Sequence, residues 1–415
     1  MASSTPQTPQ EQFDLICDNL QEVLNPEIIK HVLEVEKRPL EVYWGTATTG
    51  RPHCGYFVPC LKIAQFLQAG CKVKVLLADI HGFLDNLKAP IELVEYRAVY
   101  YRFVITELLK AAGAPIEKLE FVLGSSYQLS KEYTMDRFRL ESVTTMHDAK
   151  KAGAEVVKQV DNATLSSLIY PVMQALDEEY LKVDAQFGGV DQRKIFALAK
   201  DCLPKIGYKE RAHLMNAMVP GLAGGKMSSS DPDSKIDLLD EPAVVQKKLK
   251  KAFAMPKVVE DNGVLSFVEY VLLPASALKY GAQKFVVERR EGGPLVYTDI
   301  KTMQDDYRAD VLTPQLLKSA VTPALIDLLA PIQAAFKASE EWQAIEKQAY
   351  PPPPEKKKKE KKDKGSRHPG AAAKQQQVEA KPDGSVKGQD SAEVSVGKSV
   401  DEALEKLELE KKAVA

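Results

Sequence analysis

Residues 41–79 read EVYWGTATTGRPHCGYFVPCLKIAQFLQAGCKVKVLLAD, and the reading of this stretch decides the fold. Glu41–Gly45 is a short strand-like run, Thr46–Pro52 a loop of turn formers, Cys54–Leu67 a helical pattern, and Lys72–Asp79 a second run dense in Val and Leu. A strand, a crossover helix and a second strand make a βαβ unit, whose strands are parallel. Neither run carries a long polar face, as suits strands covered on both sides of a parallel sheet. Helical patterns at Ile91–Ala112, Lys131–Asp148 and Leu165–Leu181, a short apolar run at Glu120–Leu123, and Ile195–Leu203 continue the alternation. The predicted class is doubly wound α/β.

From about Asp240 the pattern turns mostly helical, at Pro242–Ala254, Leu265–Leu272 and Thr313–Glu341. One hairpin is expected there, Lys284–Arg290 with Pro294–Ile300, turning at Glu291–Gly293. The organisation predicted is a catalytic domain over residues 1–239 and a smaller helical domain over 240–350. At Tyr350 the composition changes: Pro351–Pro354 precedes Glu355–Arg367, where eight Lys or Arg stand against three acids. Residues 351–415 are expected to be a disordered tail, too poor in apolar side chains to offset the entropy of ordering. Within it only Val400–Lys412 has helical spacing, with Val400, Leu404 and Leu407 at i, i+4 and i+7.

The 415 residues, 44% hydrophobic, suffice for two folded domains plus appendages. No stretch reaches the ~18 uncharged apolar residues of a membrane span, and Met1–Gln12 lacks the basic and apolar regions of a secretory signal. The expected compartment is the cytoplasm, with no membrane partner. Cys17, Cys54, Cys60, Cys71 and Cys202 are odd in number and never spaced C-x-x-C, which argues for buried free thiols and against a disulfide framework or a zinc site. A net charge of −2 excludes a generally basic nucleic-acid binder but leaves room for local basic patches.

In an open α/β sheet, ligands bind at the carboxyl ends of the strands, where helix N-termini present N–H groups to anions. Gly45-Thr-Ala-Thr-Thr-Gly50-Arg51-Pro52 sits at such an end. Its glycine spacing invites a phosphate-loop reading, yet Arg51 and Pro52 stand where the lysine and the magnesium-binding hydroxyl would be, so it is not one. His53-Cys54-Gly55-Tyr56 then opens the helix: the histidine can donate to a phosphate oxygen, and Gly55 leaves room for a flat ring. Alone, His53 reads as an incidental loop residue. Downstream, Gly221-Leu-Ala-Gly-Gly225-Lys226-Met227-Ser228-Ser229-Ser230 joins flexible glycines to one cation and three hydroxyls. Such a loop can close on a polyphosphate, although alone it reads as a Gly/Ser linker. Each segment strengthens the reading of the other.

The pair resembles the HIGH and KMSKS signatures of class I aminoacyl-tRNA synthetases. With Tyr43-Trp-Gly-Thr-Ala-Thr-Thr-Gly-Arg-Pro-His53, Tyr170-Pro-Val-Met-Gln174-Ala-Leu-Asp177 and Val183-Asp-Ala-Gln-Phe-Gly-Gly-Val-Asp-Gln192, it resembles the eukaryotic cytoplasmic tyrosyl branch over residues 11 to 350. The resemblance implies a Rossmann-type catalytic domain, a helical anticodon-binding domain and a homodimer. It implies that tyrosine is activated with ATP and Mg²⁺ to the adenylate and pyrophosphate, then transferred to tRNA(Tyr). By the same resemblance, Tyr43 and Asp177 would hydrogen-bond the substrate phenol, while Tyr170, Gln174 and Gln192 would hold its amino end. Gly45, His53, Gly55, Gly189, Asp191 and Lys226 would meet the ATP. His53, Lys226, Ser228, Ser229 and Ser230 would supply catalytic charge and hydrogen bonds.

The chemistry of the residues agrees. A phenol both donates and accepts, which a tyrosine hydroxyl and a carboxylate together satisfy, and an indole, with one donor and no acceptor, would leave one of them unmatched. That argues against the tryptophanyl relatives. Tyr170, Gln174 and Asp177 at i, i+4 and i+7 share one helix face, although three polar residues there also suit plain solvent surface. An in-line displacement at phosphorus needs positioning and charge stabilisation rather than a side-chain nucleophile. A catalytically silent RNA-binding relative is the reading from another class, and the intact Lys226 loop and tyrosine-site residues disfavour it. Two departures from the general pattern stand out. Tyr56 replaces the second histidine of HIGH and Ser229 the second lysine of KMSKS, leaving Arg51 or a bound cation as candidate substitutes. Lys247-Lys-Leu-Lys-Lys251 resembles a nuclear-import patch, and reads equally as a solvated helix face or an RNA phosphate contact.

Overall fold

In the computed structural model, which describes residues 7–85, 90–157, 164–221 and 235–351, six strands form one sheet: β1 (Glu22–Leu24), β2 (Glu41–Ala47), β3 (Lys72–Ala78), β4 (Leu119–Leu123), β5 (Ala185–Gly189) and β6 (Ala212–Asn216). Their order is β1-β6-β5-β2-β3-β4, parallel except for the antiparallel edge strand β1. Val42, Tyr43 and Trp44 of the central strand are all buried, as a strand covered on both faces requires. From β2 the chain moves outward through β3 and β4, then returns to the other side of β2 for β5 and β6. A crevice therefore opens at the carboxyl ends of β2 and β5, the point where the strand order reverses.

Helix Phe57–Gln68, with ten of its twelve residues buried, fills the space between the sheet and helices Pro9–Cys17 and Ile91–Ala111. On the opposite side Ser166–Tyr180 packs with Arg193–Cys202 and Met146–Gly153 around Met173, Leu176, Ile195 and Leu203. The first core runs on past residue 240. Leu317, Val321, Leu325, Leu329 and Ile332 line one side of Pro314–Ala338, which packs on Ile91–Ala111 and on Pro242–Lys251. That helix is long and apolar enough by length and composition to cross a membrane, yet its apolar stripe is taken up by this protein packing. Trp342 of the next helix, Glu340–Ala349, stacks on Phe103 with ring centroids 5.5 Å apart. The chain up to Pro351 is one compact unit.

The expected hairpin is present as β7 (Phe285–Val287) and β8 (Leu295–Tyr297). Four cysteines are buried and Cys17 half-buried, all free. Several expected boundaries are corrected. Lys131–Asp148 is two helices, Lys131–Val143 and Met146–Gly153, because the Thr145 hydroxyl caps the second by accepting from the Asp148 N–H at 3.1 Å. Thr313–Glu341 likewise stops at Ala338, and Ser339 caps Glu340–Ala349 through the Trp342 N–H at 3.1 Å. Asp79 begins a helix, Asp79–Leu84, rather than ending a strand. Periodicity registers which residues face a core, and caps decide where the helices break. Residue patterning does not mark β1, β5 and β6 as strands; the structure adds them to the sheet. The candidate helix Val400–Lys412 lies outside the described residues.

Candidate active site

Two cavities meet in the crevice and share Trp44 and Tyr56 as a common wall. The first, about 260 Å³, is lined by Tyr43, Gly45, His81, Asp85, Tyr170, Gln174, Asp177 and Gln192 among others. The second, about 300 Å³, is lined by His53, Gly55, Gly189, Asp191, Asn216 and Met218 with their neighbours. The helical spacing of Tyr170, Gln174 and Asp177 thus turns all three to one cavity. The next residue, Glu178, points the other way and meets His213 of β6 at 2.7 Å.

Asp177 is fully buried. Its Oδ1 accepts from Gln128 Nε2 at 2.9 Å and from the Tyr133 hydroxyl at 3.0 Å; the Tyr127 hydroxyl also faces the carboxyl and favours its charged form, and Oδ2 has no partner at hydrogen-bond distance among the described residues. His81 Nε2 lies 3.8 Å from Oδ2. Burial raises the Asp177 carboxyl above its ordinary range, opposed by His81 and by the hydrogen bonds it receives, and burial lowers the His81 imidazole. Tyr43, also fully buried, donates to the Gln174 carbonyl at 3.2 Å, and Gln174 Nε2 donates to Gln192 Oε1 at 2.8 Å. Tyr43, Gln174 and Gln192 are thereby tied to one another.

On the other side of the wall, His53 Nδ1 accepts from the Gly55 N–H at 3.2 Å. Burial, with Lys235 adding to it, lowers the His53 imidazole to about 4. A neutral ring whose Nδ1 accepts carries its proton on Nε2, so His53 offers one N–H donor. Side chains at Gly188 and Gly189 would displace their neighbours: a Cβ on Gly188 would meet Gln192 Oε1 at 2.7 Å and Phe196 Cζ at 3.0 Å, and one on Gly189 would meet Asp191 Oδ1 at 2.5 Å. These glycines let the Gln192 and Asp191 side chains fold back over the end of β5, Gln192 to the first cavity and Asp191 to the second. Gly45 lines the first cavity and not the second. Lys226, Ser228, Ser229 and Ser230 lie outside the described residues. A few positions beyond them the chain comes back to the opening of the signature helix, where Asp237 pairs with His53 and the Ile236 carbonyl accepts from the Cys54 N–H at 2.9 Å. Among the described residues, no group of three His, Cys, Asp or Glu is placed to hold a metal ion.

A family model for class I tRNA synthetases of the W and Y kind matches residues 35–330. The cytoplasmic tyrosine–tRNA ligase of Saccharomyces cerevisiae is 58% identical over 356 residues, covering 85% of this chain and 90% of that protein. The chain belongs to the tyrosine–tRNA ligase family. The Danio rerio cytoplasmic ligase is 57% identical over 346 residues, 83% of this chain, which spans only 64% of that longer relative. Among solved structures, the Archaeoglobus fulgidus tyrosyl-tRNA synthetase complexed with L-tyrosine is similar at 35% identity, with a TM-score of 0.72, over 79% of this chain and 99% of its own.

For a tyrosine–tRNA ligase, one of the two substitutions in the signatures has a setting here, since Ser229 lies outside the described residues. Tyr56 is an aromatic wall between the cavities, its hydroxyl 3.1 Å from Thr46 Oγ1 and 3.4 Å from the Tyr101 hydroxyl. Arg51 does not take over the missing charge: its Nη1 is paired with Glu346 Oε1 at 2.5 Å and it lines neither cavity. Sequence reasoning missed His81 and Asp85, which line the first cavity from the segment after β3. The rule that ligands sit at strand carboxyl ends pointed there too, since Asp79-Ile-His81 follows β3 as directly as the signature loop follows β2.

Proposed function

We propose that the first cavity takes the tyrosine side chain, the second takes ATP as its Mg²⁺ complex, and the carboxylate of tyrosine attacks the α-phosphorus where the two cavities meet. The observation that carries this reading is Asp177: a fully buried carboxylate with one oxygen saturated by protein donors and the other unpartnered beside a cavity. Such an oxygen is an acceptor awaiting a donor, and a phenol O–H supplies one. The Tyr43 hydroxyl, which donates to the Gln174 carbonyl at 3.2 Å, becomes the donor to the phenolic oxygen by turning its one proton from that carbonyl to the ligand. Asp85 and the Gln174–Gln192 pair suit the ammonium group, while His53 Nε2–H and the Lys226 loop suit the departing pyrophosphate. The adenylate then passes its tyrosyl group to the terminal ribose of tRNA(Tyr).

The test is ATP–pyrophosphate exchange with tyrosine, phenylalanine and tryptophan in turn. Exchange supported by tyrosine in large excess is expected, and comparable rates with phenylalanine would overturn the assignment of the phenol end.

A cytoplasmic homodimer fits the surface. Leu129, Met135, Phe138, Met146 and Leu165 are exposed on four neighbouring segments, a clustering that a second copy of the chain would cover. Sedimentation of a Phe138→Asp, Met146→Asp double variant is expected to give monomers where the parent gives dimers. Lys247, Lys250 and Lys251 are exposed on Pro242–Lys251, whereas Lys248 is held by Asp240 at 2.7 Å; the three exposed cations suit tRNA phosphates.

A further inference from the structure

Thr48–Pro52 joins the wall of the first cavity, Gly45–Ala47, to that of the second, His53–Gly55, and lines little of either. Thr48 packs on Gly82 of Asp79–Leu84, while Thr49, Gly50 and Arg51 reach the opposite way, to Ile91–Ala111 and to the end of Glu340–Ala349. Arg97 Nη1 donates to the Thr49 carbonyl. The Gly50 carbonyl accepts from the Tyr101 hydroxyl at 2.5 Å and from the Tyr350 hydroxyl at 2.9 Å. Arg51 is paired with Glu346 and lies 4.9 Å from the Tyr350 ring centroid, while Arg97 lies 5.2 Å from the same centroid and donates to the Ala349 carbonyl at 3.1 Å. Residues 346–350, about 300 positions away in sequence, thus grip the loop through its backbone and its arginine together.

We propose that Tyr350, seconded by Glu346, is a positioning residue for adenylate formation: it clamps the Thr48–Pro52 loop and so sets the placement of His53 relative to the tyrosine cavity. The proposal rests on reading the second cavity as the nucleotide site. Glycine and threonines without such anchors leave a loop free to wander, and a misplacement of about 1 Å can cost on the order of 100-fold in rate. The hydroxyl and guanidinium donors also turn the Thr49 and Gly50 carbonyls toward the helices, away from an incoming polyphosphate. The Tyr350 phenol is raised by burial, so it stays protonated and able to donate. Asp177, Tyr170 and Gln174 make no contact with the clamp, so tyrosine affinity is separable from it.

The test uses the full chain with Tyr350→Phe, Tyr350→Ala and Glu346→Gln, measuring tyrosine affinity by equilibrium dialysis without ATP and adenylate formation in a single turnover over a range of ATP concentrations. Tyr350→Ala is expected to slow adenylate formation roughly 10- to 100-fold with tyrosine affinity within about twofold of the parent. Tyr350→Phe keeps the ring between the two guanidinium groups and loses one hydrogen bond, so about a two- to tenfold loss is expected. Parental rate and ATP dependence in Tyr350→Ala, or tyrosine affinity falling in step with the rate, would overturn the clamp. Should Tyr350→Ala fold poorly, parental rates in both Tyr350→Phe and Glu346→Gln overturn it equally. His53→Ala separates the two ideas. If it abolishes exchange while the clamp variants do not, the clamp alone fails; if it leaves exchange intact, the reading of the second cavity fails first.

Discussion

Replacing Asp177 by asparagine keeps the volume of the side chain and changes only its charge and one of its two polar atoms. The amide oxygen can still accept from Gln128 Nε2 and Tyr133, the two donors now on Oδ1, so the shell behind the residue is preserved. The atom presented to the cavity becomes an NH₂ group, and a phenol O–H loses its charged acceptor. A hydrogen bond to a charged partner contributes about 1.5–3 kcal/mol, which at about 1.4 kcal/mol per decade is roughly 10- to 150-fold in kcat/KM for tyrosine. Phenylalanine makes no such bond, so its kcat/KM should change by less than about threefold, and the preference for tyrosine should shrink by the whole factor.

The same substitution has a stability consequence of opposite sign. Because burial raises the Asp177 carboxyl, the folded chain binds its proton more tightly than the unfolded chain does. Stability is therefore lost as pH rises above the ordinary carboxyl value of 3.8 through the folded one, and the cost is present at neutral pH. Asp177→Asn removes that cost, so the urea midpoint at about pH 7.5 should be equal to the parent's or higher. Exchange kinetics with both amino acids and urea unfolding check the two halves. An unchanged tyrosine-to-phenylalanine ratio in Asp177→Asn would refute the reasoning about Oδ2.

Lys226→Ala should slow adenylate formation while leaving tyrosine affinity within about twofold, since charge on the leaving pyrophosphate develops in the transition state; lost affinity with a normal rate would count against the signature-loop reading. His53, held near 4 by burial, stays neutral through the physiological range, so the exchange rate should show no step from this group between about pH 5.5 and 8. An acid limb near the ordinary histidine value of 6.5 that vanishes in His53→Gln would contradict this. By linkage, the stability owed to the neutral His53 is lost as pH falls from 6.5 toward 4, and melts across that window should be steeper in the parent than in His53→Gln. Ending the chain after Pro351 keeps Tyr350 and the clamp and should leave tyrosine activation unchanged. If the Lys356–Arg367 cluster contacts tRNA phosphates, each lost contact should shallow the log–log salt dependence of tRNA binding by roughly 0.7 to 0.9. A collapse of exchange in this truncation would show that the tail supports the catalytic unit.

Sequence alone determined the class of fold and named several of the residues that line the two cavities. The βαβ reading of residues 41–79 holds because burial on both faces of β2 and β3 demands apolar runs, a local property that composition records. Tyr170, Gln174 and Asp177 were legible as one face because helical spacing is also local. What the tertiary structure decided was which polar atoms are already spent. Arg51 reads as a spare cation in the chain, but Glu346, from the far end, has claimed it. Asp177 was named from the sequence, but only the fold shows that Gln128 and Tyr133 occupy one of its oxygens while the other has no partner at hydrogen-bond distance among the described residues. His81 and Asp85 join the cavity only because β3 lies beside β2 in the sheet. Periodicity and residue type are fixed by neighbours a few positions apart, whereas the pairing of a buried charge depends on partners far away in sequence, which only the folded chain brings together.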